Sequence, residues 1–445
     1  MGYWTDGGKN IGVLGLGKSG RAAAALLRLK GFSVTGFDRR SDIPVCPDCE
    51  RMVTGDGIID CIGSLDGMVI SPGVDPAAGL PAAARELGLP VIGEIELAFR
   101  NTDIPILAIT GSNGKTTTAE WLGYTLGKAG LRSCVAGNTG YPFSTAIIEN
   151  PDADFISLEV SSYQLQTTEI FRPSAAAILN ITPDHLQRHG DIDGYINAKA
   201  RIFMNQRNGD LLVLNGDDPG SIPLAHRTAG LELYFGIDEI PGSGAFTMNN
   251  SIYFADSRSR KFVIDKREIS LPGLHNLSNA LAVICLASKT GLEPEKMVEG
   301  LSSFRGVPHR IEWIRNRNGV SFVNDSKSTN PDSLNVALKS FTEPVVLIAG
   351  GIAKETDYSL LRNLITARVK TLILIGDSSE MLKDCWSGTV PVFLENIMEN
   401  AVKRAVEESE DGDVVLLSPG CASFDQYGNF EERGEHFRKL VEDLK

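Results

Sequence analysis

Ile104-Pro-Ile-Leu-Ala-Ile-Thr-Gly-Ser-Asn-Gly-Lys-Thr116 is the stretch whose reading decides the fold. Its first half is short, apolar and bounded by Pro and Gly, the pattern of a strand buried on both faces. Its second half is a Gly-rich turn opening a helix, so backbone N–H groups can cradle phosphates. Lys115 then reaches the β/γ oxygens of a nucleotide and Thr116 meets Mg²⁺. The spacing departs from a full Walker A motif: only two residues separate Gly111 from Gly114, and Ile109 stands where the first glycine belongs. The strand context and the Gly-Lys-Thr core still predict ATP binding.

Working outward, the alternation of apolar run and amphipathic helix starts three times. The first start is Asn10-Ile-Gly-Val-Leu-Gly15, an Ala/Leu-rich stretch to Lys30, then Ser33-Val-Thr-Gly-Phe-Asp38. The second is the phosphate-loop stretch, followed by strands at 154–160, 175–181 and 211–215. The third follows Arg305-Gly-Val-Pro-His309, with a hairpin over 310–325 turning at Asn318-Gly319 and strands at 344–349, 371–375 and 414–418. Such alternation predicts parallel βαβ units. Residues 231–271 differ, because their short alternating runs and polar turns read as antiparallel. The expectation is an α/β protein of three domains. They are a Rossmann-like module over 1–102, a central P-loop-type ATPase module with a parallel sheet over 103–307, and a second Rossmann-like module over 308–445.

Composition sets the outer limits. The 445 residues are 42% hydrophobic and 22% charged, which excludes a disordered or fibrous chain. A net charge of -13 leaves no bulk basic footprint for nucleic acid. No apolar run approaches the ~20 residues that span a bilayer, and Met1 to Lys9 is polar and Gly-rich, without a secretory apolar core. Seven Cys, an odd number thinly spread, argue against a disulfide scaffold. The expectation is a cytoplasmic protein with no nucleic-acid partner and no membrane span.

Gly15-Leu-Gly-Lys-Ser-Gly20 fits G-x-G-x-x-G between a strand and a helix, and Asp38 ends the next strand near the spacing of a ribose-binding acid. Alone this suggests an NAD enzyme, although Arg39 and Arg40 follow at once; glycines that serve packing only are the plain alternative. Glu159, Asp184 and His185 stand at predicted strand ends, where open α/β sheets bind ligands and where Mg²⁺ takes one or two protein ligands. Lys199, in a helical stretch, reads by composition as a solvated lysine. Cys46-Pro-Asp-Cys49 has metal-like spacing with Cys61 nearby, but a structural zinc site takes four ligands and no fourth is evident. Two ordinary thiols in a loop fit that composition better.

In this order the motifs resemble the Mur ligases, the ATP-dependent amino-acid-adding enzymes of peptidoglycan synthesis, over essentially the whole chain. The resemblance rests on residues 110–116, Leu158-Glu-Val-Ser-Ser-Tyr-Gln-Leu165, Asn180-Ile-Thr-Pro-Asp-His185 and Leu274-His-Asn-Leu-Ser-Asn-Ala280. Val323-Asn-Asp-Ser-Lys-Ser-Thr-Asn330, and Leu417-Ser-Pro-Gly-Cys-Ala-Ser-Phe-Asp-Gln426 with Asn429-Phe430, are similar to the members that add D-glutamate. The resemblance implies that ATP phosphorylates the alanyl carboxylate of UDP-N-acetylmuramoyl-L-alanine. The amino group of D-glutamate then attacks the acyl phosphate, with two Mg²⁺ ions assisting.

Residue by residue, the resemblance implies a catalytic group of Lys115, Asn138, Glu159, His185 and Lys199. Gly111, Ser112, Asn113, Gly114, Lys115, Thr116 and Thr117 would hold ATP together with Asn276, Asn279, Arg310 and Asp325. Thr116, Glu159, His185 and Lys199, the last as a carbamate, would hold the metal ions. Gly15, Gly17, Ser19, Asp38, Arg39, Arg40 and Gly73 match the uridine diphosphate site, which displaces the dinucleotide reading. Lys327, Thr329, Lys354, Ser423 and Phe430 match the glutamate site. A monomer is expected. The rivals are another amino-acid ligase of this architecture, such as a folylpolyglutamate synthase, an NAD dehydrogenase, and a non-catalytic nucleotide-binding regulator.

Overall fold

The computed structural model describes residues 4–5, 7–55, 62–138, 140–182, 186–238, 240, 242–257, 259–353, 357–388 and 390–444. They fall into two compact units, residues 1–304 and 305–445. Cys61, Asp184, His185 and Lys354 lie outside the described residues.

The first unit holds two sheets. One is built from β1 (Asn10–Leu14), β2 (Ser33–Asp38), β3 (Arg51–Thr54), β4 (Gly67–Ile70) and β5 (Val91–Gly93), in the order β3-β2-β1-β4-β5. Every pairing in it is parallel. Such strands are buried on both faces and need continuous apolar runs; Ile11, Val13, Val34, Phe37, Met68 and Ile70 provide them. The helix Lys18–Leu29 covers one face with Ala22, Ala23, Ala24, Leu26 and Leu27.

The second sheet comprises β6 (Ile106–Thr110), β7 (Ser133–Gly137), β8 (Phe155–Glu159), β9 (Ala175–Ile178), β10 (Leu211–Asn215), β11 (Leu231–Gly236), β12 (Gly244–Met248), β13 (Ser251–Ala255) and β14 (Arg260–Asp265). Its order is β14-β13-β12-β11-β10-β9-β6-β8-β7. The expected antiparallel stretch over 231–271 is only partly so. β11 runs parallel to β10 and, over three residues, to β12; the antiparallel ladder begins at β12. The crossover before β11 carries only the short 3-10 helix Ile222–Leu224, too brief to leave a helical period in the sequence.

The second unit is one sheet: β15 (Glu312–Arg317), β16 (Val320–Asn324), β17 (Val345–Gly350), β18 (Val369–Ile375), β19 (Val392–Leu394) and β20 (Val414–Leu417). Its order is β15-β16-β20-β17-β18-β19, parallel except for the β15–β16 hairpin. Asn318 and Gly319 turn that hairpin with φ of 51° and 80°, as an Asn-Gly turn requires. Apolar clusters fill both faces, Leu334, Leu347 and Trp386 on one and Phe322, Ile348 and Phe437 on the other. Among the described residues no helix is long and apolar enough to cross a membrane.

Within the first unit the two sheets share a core. A single cluster runs from Ile11, Val13 and Leu27 through Ile95 and Leu97 to Phe143, Ile156 and Phe171. The helix Glu94–Phe99 sits at this joint with two buried carboxylates. Glu96 accepts from the backbone N–H groups of Glu169 (2.8 Å), Ile170 (3.1 Å) and Phe171 (3.0 Å), and from Arg100 Nε at 2.7 Å. Glu94 takes Ser144 N–H at 2.6 Å on one oxygen while its Oε2 has no partner among the described residues, and burial pushes its pKa up to about 6. Replacing Glu96 by Ala would strand three backbone donors and leave the Arg100 guanidinium with Glu169 alone, at 2.7 Å. The expected loss is about 3–5 kcal/mol, read by urea unfolding; a loss under ~1 kcal/mol would show that water satisfies these donors instead.

Candidate active site

The phosphate loop follows β6 and is clamped from the neighbouring strand β9. Asn180, just past β9, accepts Asn113 N–H on Oδ1 at 2.8 Å and returns Nδ2 to Asn113 O at 3.2 Å. Its own carbonyl accepts Ser112 N–H at 2.9 Å. Ser112 Oγ donates to Thr182 O at 2.9 Å and lies 3.1 Å from Tyr195 Oη. Gly114 caps the helix Lys115–Lys128 with φ of 82°, and a Cβ there would lie 2.6 Å from Asn279 Oδ1. Only glycine fits both the left-handed backbone and that approach. Asn279 leans on Asn276 Oδ1, and Asn276 Nδ2 is anchored to Pro272 O at 2.8 Å.

Two lysines converge on one oxygen of this loop. Lys115 Nζ donates to Gly111 O and to Ser112 O, both at 2.8 Å. Lys199 Nζ donates to the same Gly111 O at 2.8 Å and lies 4.4 Å from the Tyr195 ring centroid. Lys199 is 1% exposed, so the solvated lysine that composition suggests is corrected: the helix Ile192–Ala200 turns it inward. Glu159, at the end of β8, is 1% exposed and accepts Asn138 Nδ2 on Oε1 at 2.9 Å. Its Oε2 is buried with no hydrogen-bond partner among the described residues. Thr116 is buried at the loop's end, and Thr117 half-buried beside it.

A cavity of about 230 Å³ opens here, lined by Pro72, Gly73, Lys115, Asn138, Ser161, Ser162, Tyr163, Tyr195 and Lys199. It joins Gly73, from the first sheet's β4 loop, to the phosphate loop. Arg188 braces that loop, with Nη2 on Val74 O at 2.8 Å and its guanidinium 5.1 Å from the Tyr163 ring centroid.

At the G-x-G-x-x-G turn, Gly17 caps the helix Lys18–Leu29, Ser19 is half-buried in its first turn, and Ser71 Oγ holds Gly15 O at 2.6 Å. Asp38 accepts Leu16 N–H at 2.8 Å and Arg40 Nε at 3.1 Å. The Arg40 guanidinium holds this carboxyl down to about 2. Arg39 and Arg40 are exposed beside it.

In the second unit the expected residues gather at the C-terminal edge of β16 and β20. Asp325 is buried, accepting Ser418 Oγ at 2.7 Å and Ile311 N–H at 3.2 Å, and Lys327 N–H bonds His309 O at 2.9 Å. Arg310 is exposed, and Lys327 and Thr329 are half-buried. Ser423 is buried and accepts Tyr427 N–H at 2.9 Å; the Phe430 ring meets His309 edge-on at 6.3 Å. Arg433 ties the set together, with Nε on Ser326 Oγ at 3.0 Å and Nη2 on Ser326 O and Cys421 O. Burial lowers its pKa to about 10.

Asn180, Tyr195 and Arg433 are clamps that the sequence reading did not single out. Asn180 carried a signal: a short amide directly after the strand beside β6 can reach the loop. Arg433, inside an acidic helix, carried none.

Residues 109–287 match the family model of the Mur ligase middle domain, and 309–421 that of the Mur ligase glutamate ligase domain. The UDP-N-acetylmuramoylalanine--D-glutamate ligase of Acidobacterium capsulatum is 41% identical over 443 residues, 98% of this chain and 96% of that protein. The enzyme of the same name from Koribacter versatilis is 42% identical over 442 residues, 98% and 97% of the two chains. The crystal structure of a UDP-N-acetylmuramate-alanine ligase from Thermotoga maritima shares the fold, with a TM-score of 0.56 at 18% identity over 98% of this chain and 100% of that one.

The Asp325 environment gives a pH dependence. Burial pushes its pKa up from 3.8 to about 6, outweighing the hydroxyl and N–H donors. The folded state then binds more protons than the unfolded one between these values, so stability is fullest below 3.8 and falls as pH rises through 6. Asp325→Asn should remove this component, worth at most about 3 kcal/mol. Unfolding free energies of both forms from pH 4 to pH 7 (about the window of the shift) should converge at the acid end; parallel curves would refute the assignment.

Proposed function

The chain belongs to the Mur ligase family, and we propose that it is the ligase that joins D-glutamate to UDP-N-acetylmuramoyl-L-alanine at the expense of ATP, in peptidoglycan precursor synthesis. One geometric observation carries the chemistry: the cavity gives Gly73 of the first sheet and Lys115 of the phosphate loop a common chamber. A sugar-nucleotide carboxylate entering from one side can there meet a γ-phosphate held on the other.

A carboxylate is a poor electrophile, so activation as an acyl phosphate precedes attack by an amine. Phosphoryl transfer asks mainly for positioning and charge neutralisation. Lys115 supplies charge at the transferring group, and Asn138, oriented by Glu159, presents its amide to the acceptor. The Glu159 Oε2 left without a partner, with Thr116 on the loop, fits a divalent cation, which would neutralise phosphate charge when bound. His185 and Lys199 would complete its surroundings. An ammonium beside such an ion repels it. Addition of CO₂ to the neutral Lys199 amine, with loss of a proton, gives a carbamate that reverses that sign. For D-glutamate, Lys327 and Lys354 offer two charges, Thr329 and Ser423 two hydroxyls, and Phe430 an apolar wall; these are roles we assign by resemblance.

The decisive assay is phosphate release from ATP with each substrate omitted in turn. Release should require both UDP-N-acetylmuramoyl-L-alanine and D-glutamate; nucleotide binding without turnover, or turnover with another amino acid in place of D-glutamate, would overturn the reading. Lys199→Ala should abolish release, and full activity in that variant would eliminate the carbamate. Lys354→Ala should raise KM for D-glutamate roughly ten- to hundredfold and leave KM for ATP nearly unchanged, since a lost charge-assisted hydrogen bond costs ~1.5–3 kcal/mol. Equal rises in both constants would remove Lys354 from the glutamate site.

A further inference from the structure

The ligase reading leaves Cys46-Pro-Asp-Cys49 without a task. In the fold it is a tight turn: Cys49 N–H donates to Cys46 O at 3.1 Å, with Pro47 at the position whose φ such turns favour. That bond keeps the two Cα atoms within about 7 Å, the range a disulfide can bridge. Cys46 is buried at 1% exposure, and Cys49 is half-buried. Among the described residues no group of three or more His, Cys, Asp or Glu is placed to hold a metal ion. The nearby Met52 sulfur already accepts the Cys46 N–H at 3.2 Å.

The turn is tied to the Gly-rich loop from two sides. A Cβ on Gly36 would lie 2.7 Å from Cys49 Sγ and 2.9 Å from Leu16 Cδ1. The Cys49 sulfur thus rests on the strand that ends at Asp38, close to Leu16, whose N–H Asp38 holds. From the other side, Arg21 donates Nε to Leu16 O at 3.1 Å, Nη1 to Val45 O at 2.9 Å and Nη2 to Pro44 O. One guanidinium joins the residues before Cys46 to the loop.

We propose that Cys46 and Cys49 form a reversible disulfide that weakens binding of the uridine-diphosphate substrate at the Gly15–Gly20 loop. The effect on substrate rests on the function proposed above; the thiol chemistry does not. The half-exposed Cys49, as thiolate, attacks a low-molecular-weight disulfide and expels one thiolate. Cys46, as thiolate, then attacks the Cys49 sulfur of the mixed disulfide and expels the second. Two electrons pass to the reagent, the two thiol protons end on its released thiols, and the Cys46–Cys49 bond closes. Burial pushes the Cys49 thiol up to about 12, so thiolate is scarce and closure is slow. A reduced state whose Cys49 thiolate is disfavoured by burial also favours the closed form at equilibrium. Closure draws the Cys49 sulfur away from Gly36 and Leu16 and shifts the carbonyls that hold Arg21.

The test equilibrates the whole chain in glutathione buffers from reducing to oxidising, alkylates free thiols and maps peptides by mass. A Cys46–Cys49 disulfide that dithiothreitol reopens is expected, with KM for UDP-N-acetylmuramoyl-L-alanine raised about three- to tenfold and KM for ATP unchanged. Cys49→Ser, and Cys46→Ser with Cys49→Ser, should keep the reduced enzyme's constants in every buffer; the single variant suffices if the double one does not fold. Both thiols alkylated at the oxidising end, pairing of either with Cys61, or closure without a change in KM would each overturn the proposal. Failure of the reduced enzyme to use D-glutamate would instead sink the function, while peptide mapping would still decide the disulfide.

Discussion

Two ammonium groups, Lys115 and Lys199, donate to one carbonyl oxygen, that of Gly111. Lys115 donates to Ser112 O as well, and Lys199 is almost without solvent, so two positive charges stand together at the turn that opens the helix. The rest of the first unit keeps the loop in that form. Asn180 and Ser112 fix the loop to the end of β9, and Asn279 closes the space over Gly114. Tyr195 serves twice, with its hydroxyl on Ser112 and its ring beneath Lys199. None of these contacts is long-range electrostatics; each is a short hydrogen bond or ring contact that fixes position.

Buried carboxylates divide by how they are satisfied. Glu96 is saturated by N–H donors and a guanidinium, and acts as a structural rivet. Glu159 is half satisfied by Asn138, leaving one oxygen able to take a cation. Asp325 has donors on both oxygens yet is pushed toward its neutral form by burial. The same functional group thus does three kinds of work, and exposure alone does not separate them, because all three are almost fully buried.

Much of this was legible in the sequence. The β6 run, the Gly-Lys-Thr turn and the Asn-Gly hairpin each carry local chemistry that fixes local geometry. The parallel sheets follow from continuous apolar strands. What composition could not supply was direction. Lys199 reads as a surface lysine because nothing in Asn-Ala-Lys-Ala-Arg says which helical face is inward; only the resemblance marked it. β11 reads as antiparallel in the sequence because its crossover is too short to leave a helical period. Arg433 was invisible because Glu431, Glu432 and Glu435 around it make it read as one more charge on a solvated acidic helix, while its partners, Ser326 and Cys421, lie on other segments.

The joint between the first two sheets has a consequence for how this polypeptide could be divided. A break near 102 would pass through the cluster that packs Ile11 against Phe143 and would separate Glu96 from the amides it holds. A break at 304–305 falls between two compact units. The chain is thus three sheets long but has one natural seam. If it were ever produced as two separate polypeptides, the cut would belong there, with the Gly-rich turn and the phosphate loop inherited by the same fragment.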